Sequence, residues 1–352
     1  MELELEVVEE ESSSLTSDDF STSDDSESSD DSLEPEERWS HESAVVDGRL
    51  YLFGGWNGAE YFNRNEIWIM NLRVGRSRRK WRRRMARGRL VPPPCEGARC
   101  IVIDKKIYSY GGEKANGSYL GLVYRLDPKK LEWIEVATPV GGKKPAPRAF
   151  CCLCAIGSRM IMFGGKSERI PSGQLQPEAT QDAEGWNNEI YEFKFEEENE
   201  KGMWLESKFS GTKPKPLQLA AMATIDRHQA FLHGKDIDNK SHSVVLELLN
   251  KCWISIDFEV QPSPRWGHTI SPLAKEGLEE RSLCLLIGGS NVSGAESFYV
   301  LDIDDCKAHQ MAVAHDFKNV FCHTSHCVHN VDETTDVLVY DEGLKYFHLG
   351  IA

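Results

Sequence analysis

Alternating apolar and polar residues, interrupted by glycine pairs, run through most of the chain from residue 38 onward. Residues 39–55 contain a strand-like stretch, a turn at Asp47-Gly48, a second apolar stretch and the pair Gly54-Gly55. Period-two alternation with a glycine-containing turn predicts a β-hairpin. The arrangement recurs in units that end at Gly112, Gly165, Gly234, Gly289 and Gly343. In the fourth and sixth units only one glycine of the doublet remains.

A further strand is predicted after the glycine or glycine pair that ends each of the first five units. These strands are Glu66–Leu72, Leu122–Asp127, Glu189–Phe195, Ser243–Leu249 and Ser297–Ile303, and the first four are followed by Trp81, Trp133, Trp204 and Trp253. Short strands with no helix between them indicate a small antiparallel sheet, which cannot bury both faces alone. Radial packing of such sheets buries the faces against neighbours. We therefore predict an all-β, six-bladed β-propeller over residues 38–352, with about 52 residues per blade.

The first 37 residues form a separate acidic segment. They contain 16 acidic and no basic residues, so the net charge of −15 belongs to this segment and the remainder is nearly neutral. Residues 11–37 contain few large apolar groups, which predicts disorder. Residues 1–8 alternate apolar and acidic side chains as an edge strand would, so we expect them to be an exception. The predicted organisation is an acidic tail over 1–37 and a propeller over 38–352.

The sequence also indicates the cellular compartment. No window reaches the roughly 18–20 consecutive apolar residues of a membrane span, and the acidic start does not resemble a signal peptide. Ten cysteines in 352 residues are ordinary usage and fit a reducing compartment. We expect a soluble protein in the cytoplasm, the nucleus or both, with no membrane partner.

An apolar residue before Gly-Gly, followed at a distance by a lone tryptophan, resembles the kelch repeat over about residues 38–352. The segments Gly185-Trp186-Asn187-Asn188-Glu189-Ile190 and Arg265-Trp266-Gly267-His268 further resemble kelch domain-containing substrate receptors of cullin-RING ubiquitin ligases. That group includes receptors for C-terminal degrons that end in diglycine. The resemblance implies a non-catalytic propeller that binds a protein or peptide.

The resemblance also implies a pocket for a terminal carboxylate. Two arginines hold the carboxylate in those receptors, and Lys235 and Lys240 stand at their positions here, so positive charge is kept but the planar guanidinium fork is not. The pocket tryptophan is kept as Trp186, whereas Trp266-Gly267 replaces a Ser-Trp pair and Cys322 replaces another tryptophan. The receptors continue into helices that dock on elongin and cullin subunits. The sequence stops at Ala352 before any such helices, so we expect a ligase role to require either a bridging partner or a longer native chain.

The predicted peptide-binding residues lie at blade entrances and in loops after the glycine doublets, above all 166–185 and 235–242. They are basic and aromatic residues that suit an acidic segment or a free C-terminus: Arg38, Trp56, Arg148, Trp186, Lys235, Lys240, Arg265 and Trp266. For each of them, packing within the fold is the alternative. Two function classes stay open: a substrate adaptor in ubiquitin ligation, and a kelch scaffold or regulator unconnected with degradation. An oxidase-type propeller enzyme is a third, disfavoured alternative.

Residues 73–89 hold ten basic residues in seventeen. This basic run is either a solvated outer edge that discourages sheet pairing, a nuclear-import or polyanion patch, or a surface that the acidic tail screens. We favour a solvated edge partly screened by the tail, and we do not expect a nucleic-acid partner.

We predict neither a catalytic residue, a cofactor nor a metal. Cys322, His323, His326, Cys327 and His329 are the one local group of soft ligands. Alternation along a strand divides them between its two faces, so they do not form an adjacent four-ligand set for zinc.

Overall fold

The computed structural model describes most of the chain, with short gaps. Its residues are 3–6, 34–75, 78–139, 143–171, 173–176, 178–196, 200–273, 281–291, 298–311, 326–331, 334–340 and 344–351. Residues 3–6 and those from 326 onward are described by backbone and strand pairing only. The described residues contain no α-helix, and so no helix among them could span a membrane.

Five consecutive antiparallel sheets of four strands form the described blades. Blade one comprises β2 (Glu42–Val46), β3 (Arg49–Phe53), β4 (Glu66–Asn71) and β5 (Trp81–Met85); blade two comprises β6 (Arg99–Ile103), β7 (Lys106–Tyr110), β8 (Val123–Asp127) and β9 (Glu132–Glu135). Blade three comprises β11 (Cys152–Ile156), β12 (Arg159–Phe163), β14 (Ile190–Phe195) and β15 (Gly202–Glu206); blade four comprises β16 (Gln218–Thr224), β17 (Gln229–Lys235), β18 (Ser241–Glu247) and β19 (Cys252–Ser255). Blade five comprises β21 (Thr269–Leu273), β22 (Leu283–Ile287), β24 (Phe298–Asp302) and β25 (Lys307–Met311). Two-residue strands, β10 (Arg148–Ala149) with β13 (Lys166–Ser167) and β20 (Arg265–Trp266) with β23 (Ser290–Asn291), flank blades three and five.

The all-β propeller prediction is confirmed, and the third strand of each of these five blades falls where the sequence places it. The blades described with side chains number five, against the six predicted. A further four-stranded sheet consists of β26 (His326–Val331), β27 (Thr334–Tyr340), β28 (Leu344–Ile351) and, at its outer edge, β1 (Leu3–Glu6). Strand β26 contacts both β21 and β2.

The N-terminal strand departs from the predicted domain boundary at residue 37. Strand β1 pairs antiparallel with β28 from Leu3 opposite Ile351 to Glu6 opposite His348. This pairing agrees with the edge strand expected within residues 1–8. The disorder predicted for residues 11–37 falls almost wholly outside the described residues.

The hydrophobic core lies between neighbouring blades. Clusters of buried apolar side chains join blades one and two, two and three, three and four, and four and five. Each repeat tryptophan of blades two to four packs on the aromatic residue that precedes the glycine doublet of the blade before. The ring pairs are Trp133 with Phe53, Trp204 with Tyr110 and Trp253 with Phe163, with centroids 5.4, 5.0 and 5.5 Å apart. These three tryptophans therefore fill the space between adjacent blades.

The basic run occupies the outer edge of blade one. Strand β5 is the last strand of that sheet, and the side chains of Arg82 and Arg83 are exposed. Arg83 forms a 2.8 Å ion pair with Glu66 on the neighbouring strand. The described part of the run therefore agrees with a solvated edge.

Candidate functional site

The residues that follow the glycine doublets all leave their blades at the same end of the propeller. There the chain adds short antiparallel pairings to the blade: Trp56 with Trp39 and Tyr61, Glu113 with Glu96 and Tyr119, Lys166 with Ala149 and Trp186, and Ser290 with Trp266. We call this end, formed by the residues just named and the 235–242 loop, the loop face. Rigid strands thus present equivalent positions from successive blades, which differ in side-chain chemistry.

The second glycine of a doublet is needed where the chain turns onto the loop face. Gly55 and Gly165 have φ values of 90° and 91°, which residues with a Cβ rarely adopt. A Cβ on Gly55 would lie 2.6 Å from the carbonyl oxygen of Trp39, and a Cβ on Gly165 would lie 2.8 Å from that of Ala149. The doublet therefore permits the close backbone approach on which the loop face depends.

The three predicted blade-entrance arginines lie inside the blades. Arg38, Arg148 and Arg265 are at most 2% exposed. Their Nη1 atoms donate to the carbonyl oxygens of the first doublet glycines, Gly54, Gly164 and Gly288, over 3.2, 2.9 and 2.9 Å. These arginines fasten each doublet to the entrance of its own blade. Their burial and their bonds to the backbone favour the alternative role, packing within the fold, for these three arginines.

Arg148 also forms a buried ion pair. Its Nη2 lies 2.6 Å from Oε2 of Glu189, and its Nη1 lies 2.7 Å from Oδ1 of Asn187. Both residues belong to the Gly-Trp-Asn-Asn-Glu segment on which the family resemblance rests. The segment thus holds the start of β14 against the blade entrance.

The predicted tryptophans differ in exposure. Trp56 is partly buried and lies between Trp39 and Tyr61, with ring centroids 5.9 and 6.2 Å away. Trp186 is only 7% exposed and lies 6.3 Å from Phe150. Trp266 is partly buried and pairs with Ser290. Trp56 and Trp266 therefore offer more ring surface to a ligand than Trp186 does.

The structure brings Lys235 and Lys240 into one short loop after β17. Lys235 is 9% exposed and its Nζ donates to Oδ1 of Asn239 over 2.6 Å, whereas Lys240 is exposed. Asp236 is fully buried and accepts hydrogen bonds from the backbone N–H of Lys240 and from Nε2 of His242, over 3.0 and 2.9 Å. Burial alone would raise the pKa of Asp236, but the hydrogen bonds from His242 and Lys240 outweigh burial and lower the pKa. The loop is therefore built around an ionised carboxylate that fixes its shape.

The longer predicted binding loop, 166–185, is tied to blade three through its described residues. Gln176 forms two hydrogen bonds with the backbone of Ile190, over 2.6 and 2.9 Å. The side-chain N–H groups of Gln181 donate to Oγ of Ser167 and to the carbonyl oxygen of Gly185, both over 3.1 Å. These bonds hold the loop in place without a ligand.

The sequence prediction missed several loop-face residues: Trp39, Tyr61, Glu96, Glu113 and Tyr119. Glu113 could have been found from its position in the repeat, because it follows a glycine doublet as Trp56 and Lys166 do. The hydroxyl of Tyr61 donates to Oε1 of Glu96 over 3.4 Å and so links blades one and two. Burial raises the pKa of Glu96, and the nearby charge of Glu113 raises it further. The face thus carries Glu96 and Glu113 at blade two, and Lys166, Lys235 and Lys240 at blades three and four.

No group of three or more His, Cys, Asp or Glu side chains arranged for a metal occurs among the residues described here. The side chains of residues 322–329, including the predicted soft ligands and Cys322, lie outside that part of the chain. Burial raises the pKa of the thiols of Cys95 and Cys151 to about 11, which keeps them protonated near neutral pH.

Comparison with known proteins identifies the repeat. The profile of the KLHDC2/KLHL20/DRC7 Kelch-repeats domain matches residues 8–165 and 40–276. The chain belongs to this family of kelch-repeat proteins. It is 25% identical to Kelch domain-containing protein 2 of Bos taurus over 266 residues, and 27% identical to Kelch domain-containing protein 1 of Homo sapiens over 264 residues. Each alignment covers 69% of this chain and 62% of the relative, so the match spans somewhat less than two thirds of either relative.

A weaker match covers part of the propeller. The chain is 30% identical to Host cell factor 1 of Rattus norvegicus over 146 residues, which are 37% of this chain and 7% of that protein. These kelch similarities agree with a protein-interaction propeller.

Proposed function

We propose that this kelch propeller is a non-catalytic protein-interaction module that binds a peptide, or a segment of a partner protein, on its loop face. The observation that carries the proposal is the display of partly buried aromatic and charged side chains on loops that the blades already hold in place. Preformed loops lower the entropy lost when a ligand binds. Aromatic side chains and positive charge are the groups that anchor peptides with an acidic segment or a free carboxylate.

We further propose that the basic part of the loop face, Lys166, Lys235 and Lys240, receives the acidic segment or C-terminal carboxylate. Lys240 is exposed and therefore able to reach a ligand, whereas Lys235 would have to exchange its bond to Asn239 for the ligand. Two lysines attract a carboxylate as point charges and lack the bidentate geometry of arginine. We expect selectivity for negative charge at a chain end and weaker selectivity for the last residues themselves.

The test compares free and amidated C-termini. A peptide library with free C-termini, and the same library with amidated C-termini, is captured on the full chain. We expect enrichment from the free library only, and a roughly tenfold loss of affinity for the enriched peptides in Lys240→Glu. Lys130→Glu is the matched control, because this exposed lysine lies in the turn between β8 and β9 at the opposite end of the propeller. Equal capture of amidated peptides would refute the carboxylate as the recognised group.

A role as substrate adaptor in ubiquitin ligation is the more specific form of the proposal. Its support is the sequence resemblance to kelch domain-containing substrate receptors. Co-purification of elongin or cullin subunits from cells, directly or through a bridging protein, would support the adaptor. A stable partner that is bound but not degraded, with no such subunits, would instead support the alternative of a kelch scaffold or regulator.

We also propose that the sheet β1-β28-β27-β26 is the sixth blade and closes the ring. The contacts of β26 with β21 and β2 support this, since these are the first strands of blades five and one. A cytoplasmic or nuclear location remains part of the proposal. The cysteines within the described residues are all free thiols, as a reducing compartment requires. A fluorescent fusion would test the location.

A further inference from the structure

Three aromatic rings and two carboxylates lie together on the loop face where blades one and two meet. Trp56 lies between Trp39 and Tyr61, and its ring plane is inclined by 57° to that of Trp39 and by 34° to that of Tyr61. All three rings are partly buried, so each keeps some surface open to solvent. We call Trp39, Trp56, Tyr61, Glu96 and Glu113 the aromatic–acidic cluster.

The two carboxylates join this group through blade two. Glu96 and Glu113 are paired through their backbones, with N to O distances of 3.0 and 2.8 Å, so the side chains leave adjacent strands. The hydroxyl of Tyr61 bonds to Glu96. The carboxylates are partly buried, and each adds negative charge to the same small region.

Within the described part of the chain, no positive side chain neutralises this cluster at close range. Neither Glu96 nor Glu113 takes part in an ion pair there, although the charge of Lys166 acts on Glu96 from blade three. No cation lies over the ring of Trp39, Trp56 or Tyr61 among those same residues. Elsewhere the chain supplies such cations itself, as Arg38 does over Phe62 at 3.8 Å. Aromatic rings with negative charge beside them, and no cation of their own, form a site for a positive ligand group.

We propose that the aromatic–acidic cluster binds a cationic side chain, arginine or lysine, of the peptide held on the loop face. This inference rests on the proposed function, and it adds a second anchor to the carboxylate anchor at blades three and four. The ring faces attract the cation and exclude water around it, while Glu96 and Glu113 supply the opposite charge. A ligand with one positive side chain and a free C-terminus would then meet complementary charge at both places, which fixes its direction across the face.

The test uses N-acetyl-arginine amide as the probe and N-acetyl-citrulline amide as its neutral counterpart of almost identical shape. The full chain is labelled with ¹⁵N at tryptophan, and the indole signals are assigned with Trp39→Phe and Trp56→Phe. We expect the arginine probe to shift the Trp39 and Trp56 signals in a saturable way and the citrulline probe to leave them in place. The double variant Glu96→Gln/Glu113→Gln should bind the arginine probe about tenfold more weakly.

Glu132→Gln is the matched control, because Glu132 is exposed at the start of β9, away from the loop face. This variant should bind the probe as the parent chain does. Equal shifts with citrulline, no shift with arginine, or unchanged binding in the double variant would each overturn the cation site. The carboxylate assay with Lys240→Glu uses other residues, so failure of the proposed function can be distinguished from failure of this subsite.

Discussion

Trp133 and Trp204 provide a matched pair for measuring what holds adjacent blades together. Both lie on the outer strand of their blade and pack edge-on against an aromatic ring of the preceding blade, Phe53 or Tyr110, at 5.4 and 5.0 Å. Each also has contacts of its own. The ring of Trp204 lies 6.0 and 4.9 Å from those of Tyr191 and Phe193, and the guanidinium of Arg64 lies 5.7 Å from the ring centroid of Trp133. They differ further in one hydrogen bond. The indole N–H of Trp133 donates to the carbonyl oxygen of Arg64 over 3.0 Å, whereas that of Trp204 has no hydrogen-bond partner in the described chain.

Replacing either tryptophan by phenylalanine removes the same ring area from an interface between blades. At residue 204 the cost is the lost apolar contact, about 1–3 kcal/mol for a reduction of this size in a core. At residue 133 the hydrogen bond is lost as well, and the Arg64 carbonyl is left without it inside the protein. This loss adds about 1–2 kcal/mol. Trp133→Phe should therefore be the more destabilising change by that amount.

Urea unfolding, followed by circular dichroism, measures the difference. With a slope of about 1–3 kcal/mol per molar urea, an extra 1–2 kcal/mol lowers the midpoint by a further several tenths of a molar or more. The slopes of the two variants should agree, because both unfold the same surface. Equal midpoints for the two variants would refute the assignment of stability to the Trp133 hydrogen bond.

Three further predictions concern the buried charges and the N-terminal strand. Arg148→Met should lower the free energy of unfolding in urea by about 3–5 kcal/mol, because Glu189 is left charged and buried. Adding Glu189→Leu should recover part of the loss, and a double variant less stable than the single one would contradict this. The pKa of Asp236 is lower in the fold than in the unfolded chain, so its contribution is complete above about pH 4 and is lost as pH falls further. Asp236→Asn should flatten the acid limb of the stability profile, and an unchanged limb would be evidence against the role of this carboxylate and His242. Deletion of residues 2–6 removes β1 and should lower the thermal midpoint, by about 2–4 °C per kcal/mol of pairing lost; an unchanged midpoint would show that β1 adds no stability.

The architecture was predictable because it depends on repetition. A doublet such as Gly54-Gly55 marks a turn that other residues cannot make, and a tryptophan such as Trp133 at a fixed place in the repeat must fill the same space in each blade. Both the doublet and the tryptophan are short sequence features that recur in each repeat, so the sequence alone is enough to predict the blades. The partner of β1 was not predictable, since nothing in residues 3–6 indicates that they pair with residues 348–351 at the other end of the chain.

The binding residues were harder to predict because one residue type serves two purposes. Arg148 has the chemistry to bind a carboxylate, and it does bind one, but the carboxylate is Glu189 of its own blade. Its recurrence at the entrances of several blades was the available sign of a structural role, as a ligand-binding residue need occur only once. Glu96 and Trp39 were missed because nothing next to them in the sequence marks them as binding residues. The fold alone brings Tyr61 of blade one to Glu96, and Trp56 of the neighbouring strand to Trp39.

The division between buried and displayed charge explains how one repeat can support different binding specificities. Arg148 and Arg265 bond to the glycine doublets from inside the blade, so buried groups fix the backbone under the loop face. The residue after each doublet is then free to vary without loss of that support, and it is tryptophan in blade one, glutamate in blade two and lysine in blade three. Exchanging these residues between blades should therefore change which peptides bind while leaving stability within about 0.5 kcal/mol. A large loss of stability in Glu113→Lys or Lys166→Glu would show instead that the loop face helps to hold the blades together.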